Sequence, residues 1–195
     1  MATSRENKTL SQFKSNLLGG GARPNLFEVE LTTLPAGIEW EAEKFRYMCK
    51  AAALPASNIA QIDVPFRGRI FKVAGDRTFD VWQITVINDE DFKIRTAFES
   101  WMGLISKLDN NMGATNPDAY MTNATVFQLG RGSQKESRDN SGSNNAVLKE
   151  YEFVDIFPTA ISAIDLSYDT SDAIEEFTVD FQVQSFNMVS GGPNG

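Results

Sequence analysis

Near the C-terminus the stretch "IEEFTVDFQVQSF" sets Phe177, Val179, Phe181 and Val183 at every second position, with Glu176, Thr178, Asp180, Gln182 and Gln184 between them. A period of two puts alternate side chains on opposite faces of an extended chain, so this segment reads as a long strand with one buried and one wet face. The same alternation recurs. "NLFEVEL" places Phe27, Val29 and Leu31 opposite Glu28 and Glu30, and "DVWQITVIN" places Trp82, Ile84 and Val86 opposite Val81, Gln83, Thr85 and Ile87. "FRYMCKA", "ATVFQL" and "LKEYEFVDIF" read as further strands. "ALPASNIAQIDVPFRGRIFKVA" reads as two arms of a long hairpin, with Gly68 in its turn free to take positive φ.

One segment breaks the pattern. From Asp91 to Leu108, the residues Ile94, Ala97, Phe98, Trp101, Ile105 and Leu108 recur at the three-and-four spacing of an amphipathic helix. Many strands and one flanking helix predict a mainly β subunit, a β-sandwich or barrel with the helix against it. The chain is 195 residues with 42% hydrophobic content, which suits one domain, taken as 23–189 between a flexible arm (1–22) and a flexible tail (190–195). "GRGSQKESRDNSGSNNAV", Gly130 to Val147, is a polar insert nearly devoid of core residues, expected to project from the surface and to be mobile.

The chain has no histidine, which removes the commonest general base and zinc ligand and every Ser/His or Cys/His nucleophile. The single cysteine, Cys49, has no internal disulfide partner and reads as a small buried hydrophobe. A net charge of −8 and a pI near 4.6 argue against a general nucleic-acid binder. No stretch is long enough to span a membrane, and the start carries no secretory pattern. The basic run "FRGRIFK" reads as a solvated hairpin tip in preference to a phosphate contact. "GGGA" at Gly19 and "GRGS" at Gly130 lack the context of a phosphate loop and read as hinges.

"VAGDRTFDVWQITVINDED" crowds Asp76, Asp80, Asp89, Glu90 and Asp91 around one strand. A carboxylate pair for glycoside hydrolysis, a calcium site, or turn and cap residues would each use such acids. EF-hand spacing is absent, and a converging pair is invisible in sequence. Asn88 and Asp89 are expected to cap the helix, with Glu90 and Asp91 facing its positive end. Asp76 is placed in a turn, "AGDRT", with Arg77 expected to pair with Asp80 or with another carboxylate. Trp82 and Trp101 belong to apolar stripes, and Trp40 is expected to be exposed. No catalytic residue, metal ligand or cofactor site is assigned.

The strings "ARPNLFEVEL", "KAAALPASNI", "VAGDRTFDVWQITVINDED" and "DIFPTAISAIDLSYDTSDAIEEFTVDFQV" resemble, in order and spacing, the tail tube proteins of contractile-tailed bacteriophages. The resemblance runs from about Ala22 to about Phe186; its specific parts are "GDRTFDVW" followed by "NDE", and the late "FPT", "LSYD" and "IEEFTVDF". It implies a structural virion protein of hexameric rings, whose inner strands join in one continuous β-barrel around a channel for tape-measure protein and double-stranded DNA. Sheath, baseplate and tail terminator proteins are the implied neighbours, in the virion and, during assembly, in the host cytoplasm. The polar insert departs from the family pattern.

Within that reading the hairpin tip Val64, Pro65, Phe66, Arg67, Gly68 and Arg69 is expected to stack on the next ring, and Glu176 and Asp180 to face the lumen. Glu28 and Glu30 are the less favoured lumen pair, because the last strand alternates most cleanly. Rival readings are a baseplate-to-tube junction protein, the tube protein of a related contractile injection system, and, from another class, a soluble β-sandwich ligand-binding module using Trp40.

Overall fold

The computed structural model describes residues 9–17, 21–131, 147–169 and 172–189. The mobility expected of the arm, the insert and the tail falls largely on residues 1–8, 18–20, 132–146 and 190–195, which lie outside the described residues.

In chain order the elements are α1 (Leu10–Asn16), β1 (Phe27–Glu30), α2 (Ala42–Met48), β2 (Cys49–Ala52), β3 (Ser57–Phe66), β4 (Arg69–Phe79) and β5 (Trp82–Ile87). They continue with α3 (Lys93–Ile105), β6 (Thr122–Leu129), β7 (Val147–Ile161), β8 (Glu176–Gln182) and β9 (Ser185–Val189). Seven strands form one sheet in the order β1-β6-β7-β8-β5-β2, with β9 paired to β7, and β3 and β4 form a separate two-stranded sheet. The mainly β body, the amphipathic helix and the long hairpin are as the sequence predicts. The large sheet is open, with β1 and β2 at the ends of its order.

The contacts divide into two compact units. Among the described residues, one comprises 9–17, 21–28, 127–131 and 147–150. In it α1 starts on a capping box between Thr9 and Gln12, Leu129 N–H donates to the Leu26 carbonyl, and Gln128 Nε2 donates to the carbonyls of Arg23 and Leu26. The other comprises Val29–Val126 and Tyr151–Val189 and holds the aromatic core.

In that second unit β5 and β8 pair antiparallel with Trp82 opposite Phe181, Ile84 opposite Val179 and Val86 opposite Phe177. All six are buried, so the alternation read from sequence is the core face of the sheet. The stripe Ile94, Ala97, Phe98 and Trp101 of α3 packs there. Phe98 lies 5.9 Å from Phe181 and 6.4 Å from Phe177, and Trp101 lies 5.8 Å from Phe181. Trp82 stacks on Phe153 at 4.5 Å.

Five expectations are corrected. "FRYMCKA" is not a strand throughout: Phe45 to Met48 end α2, a single short helix that buries Phe45, and the strand begins only at Cys49. The helix start lies later than Asn88 and Asp89. Asn88 is buried, giving its backbone N–H and side-chain amide to Glu175, while the helix opens after Phe92 in a left-handed conformation. Asp91 Oδ1 accepts from Lys93 N–H there, and Asp89 Oδ1 accepts from Glu90 N–H.

"AGDRT" is no turn but a bulge within β4: Ile59 opposes Arg77 while Gln61 opposes Ala74, so Gly75 and Asp76 face Ala60 alone. Arg77 donates to Ser57 Oγ, and Asp80 accepts from Asn58. The final strand is broken at Val183 and Gln184 into β8 and β9. Leu108 lies beyond the helix and is fully exposed.

Candidate functional site: the projecting hairpin and the polar sheet face

Arg67 and Gly68 connect β3 to β4 with φ of 48° and 80°. Two consecutive positive φ values mark the tight hairpin turn whose twist matches its strands, and Gly68 supplies one of them without steric cost. The register then sorts the arms by face. Residues directly opposite share a face, so Ile62 with Val73, Val64 with Phe71, and Phe66 with Arg69 lie on one side; Gln61 with Ala74, Asp63 with Lys72, and Pro65 with Ile70 lie on the other.

The first side is apolar and uncovered: Ile62, Val64, Phe66, Phe71 and Val73 are between 42% and 66% exposed. Fully burying one such side chain is worth about 1.5–3 kcal/mol, so a face with five of them half exposed in water favours a partner. The Arg67 guanidinium lies 5.4 Å from the centre of the Phe66 ring, and Arg69 and Lys72 add positive charge nearby. Sequence reading found the tip, Val64 to Arg69. It missed Ile62, Phe71 and Val73, because the shared face depends on which residues oppose each other.

Glu176 and Asp180 sit on β8, on the side away from α3 together with Thr178. Opposite them on β5 stand Ile87, Gln83 and Thr85. Neither acid is isolated: Lys50 Nζ lies 2.5 Å from Glu176 Oε1, and Gln83 Nε2 donates to Asp180 Oδ1 at 2.7 Å. Of the other acidic pair, Glu30 is bonded to Arg46.

Two acids of the Asp76–Asp91 cluster, Asp89 and Asp91, serve as anchors. Lys44 of α2 reaches Asp89 Oδ2 at 2.8 Å and Asp91 Oδ2 at 2.5 Å, and Lys93 reaches Glu41 at 2.5 Å. Among the described residues no group of three or more Cys, Asp and Glu is placed to hold a metal ion. Cys49 is buried, and desolvation pushes its thiol up to about 12. Trp40 is half-buried rather than exposed: its ring packs 5.0 Å from Phe45 and 5.5 Å from Phe98, and its Nε1 donates to the Leu31 carbonyl. Trp40 is therefore not the exposed ring that the ligand-binding reading assigned to it. No helix among the described residues is long and apolar enough to cross a membrane.

A family model described as "Phage tail tube protein" matches residues 22–189, nearly the whole chain. The chain belongs to the phage tail tube protein family. Tail tube protein gp19 of Enterobacteria phage T4 is 35% identical over 161 residues, covering 83% of this chain and 88% of the relative. The tail tube protein of Serratia phage KSP90 is 23% identical over 177 residues, covering 89% and 93%. Among solved structures, a chain of the anti-feeding prophage baseplate superposes with a TM-score of 0.60 at 12% identity, covering 87% of this chain and 96% of that one. A chain of the anti-feeding prophage tube-terminating cap gives 0.58 at 12% identity, covering 97% and 99%. These two likenesses establish a shared fold.

Proposed function

We propose that this tail tube protein is the repeating structural subunit of a contractile phage tail tube, polymerising as stacked hexameric rings around a conduit for tape-measure protein and double-stranded DNA. Membership of the family supports the role, and the open sheet supports ring closure. A single copy presents β1 and β2 at its edges, which in isolation invite uncontrolled pairing. Joining such edges around a ring satisfies their N–H and C=O groups and makes one continuous inner barrel.

The uncovered hairpin is the single observation that carries stacking. Its apolar face and basic tip extend from each copy as a contact for the next ring, formed by Val64, Pro65, Phe66, Arg67, Gly68 and Arg69. Glu176 and Asp180, on the sheet face away from α3, are the proposed lumen residues. The role needs no cofactor and no catalytic group. Its partners are further copies, the sheath protein, and the baseplate and terminator proteins at the two ends; its place is the virion, after assembly in the host cytoplasm.

The test is growth of the purified protein on a baseplate seed, viewed by negative-stain microscopy. Hollow tubes of uniform diameter are expected. A chain that stays a monodisperse monomer on a competent seed overturns the reading, and a single terminal ring without elongation points instead to the baseplate-to-tube junction.

A further inference from the structure

The hairpin joins the large sheet at one end, and a second uncovered surface lies at the other. β4 ends at Phe79 and β5 begins at Trp82, opposite Phe181 of β8, so the hairpin leaves from that end. Trp82 to Ile87 then spans roughly 17 Å of strand at about 3.3 Å per residue. Ile87 lies opposite Glu176, and β7 arrives at the same end with Ile161 opposite Val179. Between these strands the chain lines a groove of about 670 Å³.

The groove is both apolar and acidic. Leu166 is 80% exposed, Ile174 is 72% exposed and Tyr168 is fully exposed, beside Asp165, Glu175 and Glu176. The hairpin is the reverse, with an uncovered apolar face of Val64, Phe66 and Phe71 beside Arg67, Arg69 and Lys72. Each surface supplies what the other lacks, apolar area to cover apolar area and charge of opposite sign around it.

We propose that the hairpin tip of one copy seats in the Leu166, Tyr168 and Ile174 groove of the copy above or below it, with Arg67 and Arg69 facing Asp165 and Glu176. This rests on the tube reading and names the receiving surface for its stacking contact. One copy does not satisfy itself, because the hairpin leaves from one end of the large sheet and the groove lies at the other. The contact is therefore heterologous and does not close, which is the geometry that propagates a filament.

Cysteine cross-linking tests the pairing. Cys49 is buried, so Phe66→Cys with Leu166→Cys introduces the reactive thiols. Seeded tubes of this double variant, oxidised and run on a non-reducing gel, are expected to give a ladder of linked multimers that each single variant lacks. Charge reversal gives an independent arm. Arg67→Glu with Arg69→Glu, or Asp165→Arg with Glu176→Arg, is expected to slow elongation at low salt by at least about tenfold, and all four changes in one chain to recover most of the loss. Normal tubes without a ladder, or no recovery in the four-fold variant, overturn the pairing and leave the tube reading standing. Failure of the wild-type chain to form tubes on the seed defeats both.

Discussion

Lys44, on the short helix α2, lies 2.5 Å from Asp91, in the turn that leads into α3. The ammonium thereby ties two helices that share the Phe45–Phe98 contact beneath them. Hydrogen bonding to Lys44 holds Asp91 below its ordinary value of 3.8, and does the same for Asp89. A carboxyl lowered on folding adds stability that is fully present above its unfolded value and is lost as pH falls through the folded one. Lys44 is raised, first by Asp89 and then by Asp91, so its share is present below 10.5 and is lost as pH rises past the folded value.

Thermal melts should therefore show an unfolding temperature nearly constant through neutrality and falling below about pH 4. In Lys44→Met the acid fall should be shallower, because the carboxyls lose the partner that lowered them. Superimposable acid limbs for the two proteins would falsify the assignment.

Two buried tryptophans differ in one respect. Trp101 Nε1 donates to the Tyr120 carbonyl at 2.6 Å, whereas Trp82 Nε1 is buried with no acceptor among the described residues. Replacing either by Phe removes similar volume, but only Trp101→Phe breaks a bond and strands a carbonyl. An unmet buried polar group costs about 1–3 kcal/mol, so Trp101→Phe should destabilise more than Trp82→Phe by about 1–2 kcal/mol in denaturant unfolding. Equal losses, or the reverse order, would count against this account of the core.

Gly75 sits in the β4 bulge, where an added Cβ would come within 3.1 Å of the Ala60 carbonyl oxygen and 3.2 Å of Ile62. Gly75→Val should distort the hairpin without touching the core between the sheet and α3. The expected outcome is a melting temperature within about 2 °C of wild type, since the hairpin buries little, together with loss of seeded tube growth. A variant that grows tubes at the wild-type rate would show that hairpin geometry is not critical to stacking.

What the sequence disclosed follows from how local each signal is. Trp82, Ile84 and Val86 announce their shared face through spacing alone, as do Ile94, Ala97, Phe98 and Trp101, because one element suffices to define the pattern. α2 escaped because seven residues with a single buried side chain, Phe45, fit a helix or a strand equally. The cap was misplaced because Asn88, Asp89 and Asp91 are all competent caps, and the choice was made by Asn88 bonding to Glu175 from a distant strand. The bulge at Gly75 and the break at Val183 depend on the partner strand, as does the pairing of Val64 with Phe71 that makes the hairpin face apolar. Long-range register was the missing information throughout.

The lumen assignment has the most demanding test, and the structure sharpens it. Glu176 and Asp180 share the sheet face opposite Phe177, Val179 and Phe181, so in a ring whose α3 helices pack outside, that face lines the channel and is repeated by symmetry. Lys50 partly offsets Glu176, at 53% and 35% side-chain exposure for the pair, whereas the Asp180 carboxylate accepts from the neutral Gln83, with no ion pair among the described residues. Asp180 is therefore the stronger source of repulsion toward phosphate, and it is also the safer site to change. Exposed charges of this kind contribute about 0–1 kcal/mol, so Asp180→Lys should fold and form tubes; Glu176 also borders the groove proposed for stacking and is left unchanged. A basic wall binds phosphate by releasing counterions, and this adhesion weakens steeply as salt rises. The hypothesis predicts slower genome ejection from particles carrying Asp180→Lys, a smaller effect for Asp180→Asn, and convergence of both variants with wild type at high salt. The measurement is ejection rate at equal tube length across a salt series; a rate that is unchanged at low salt, or a tube map with both side chains facing the sheath, sinks it.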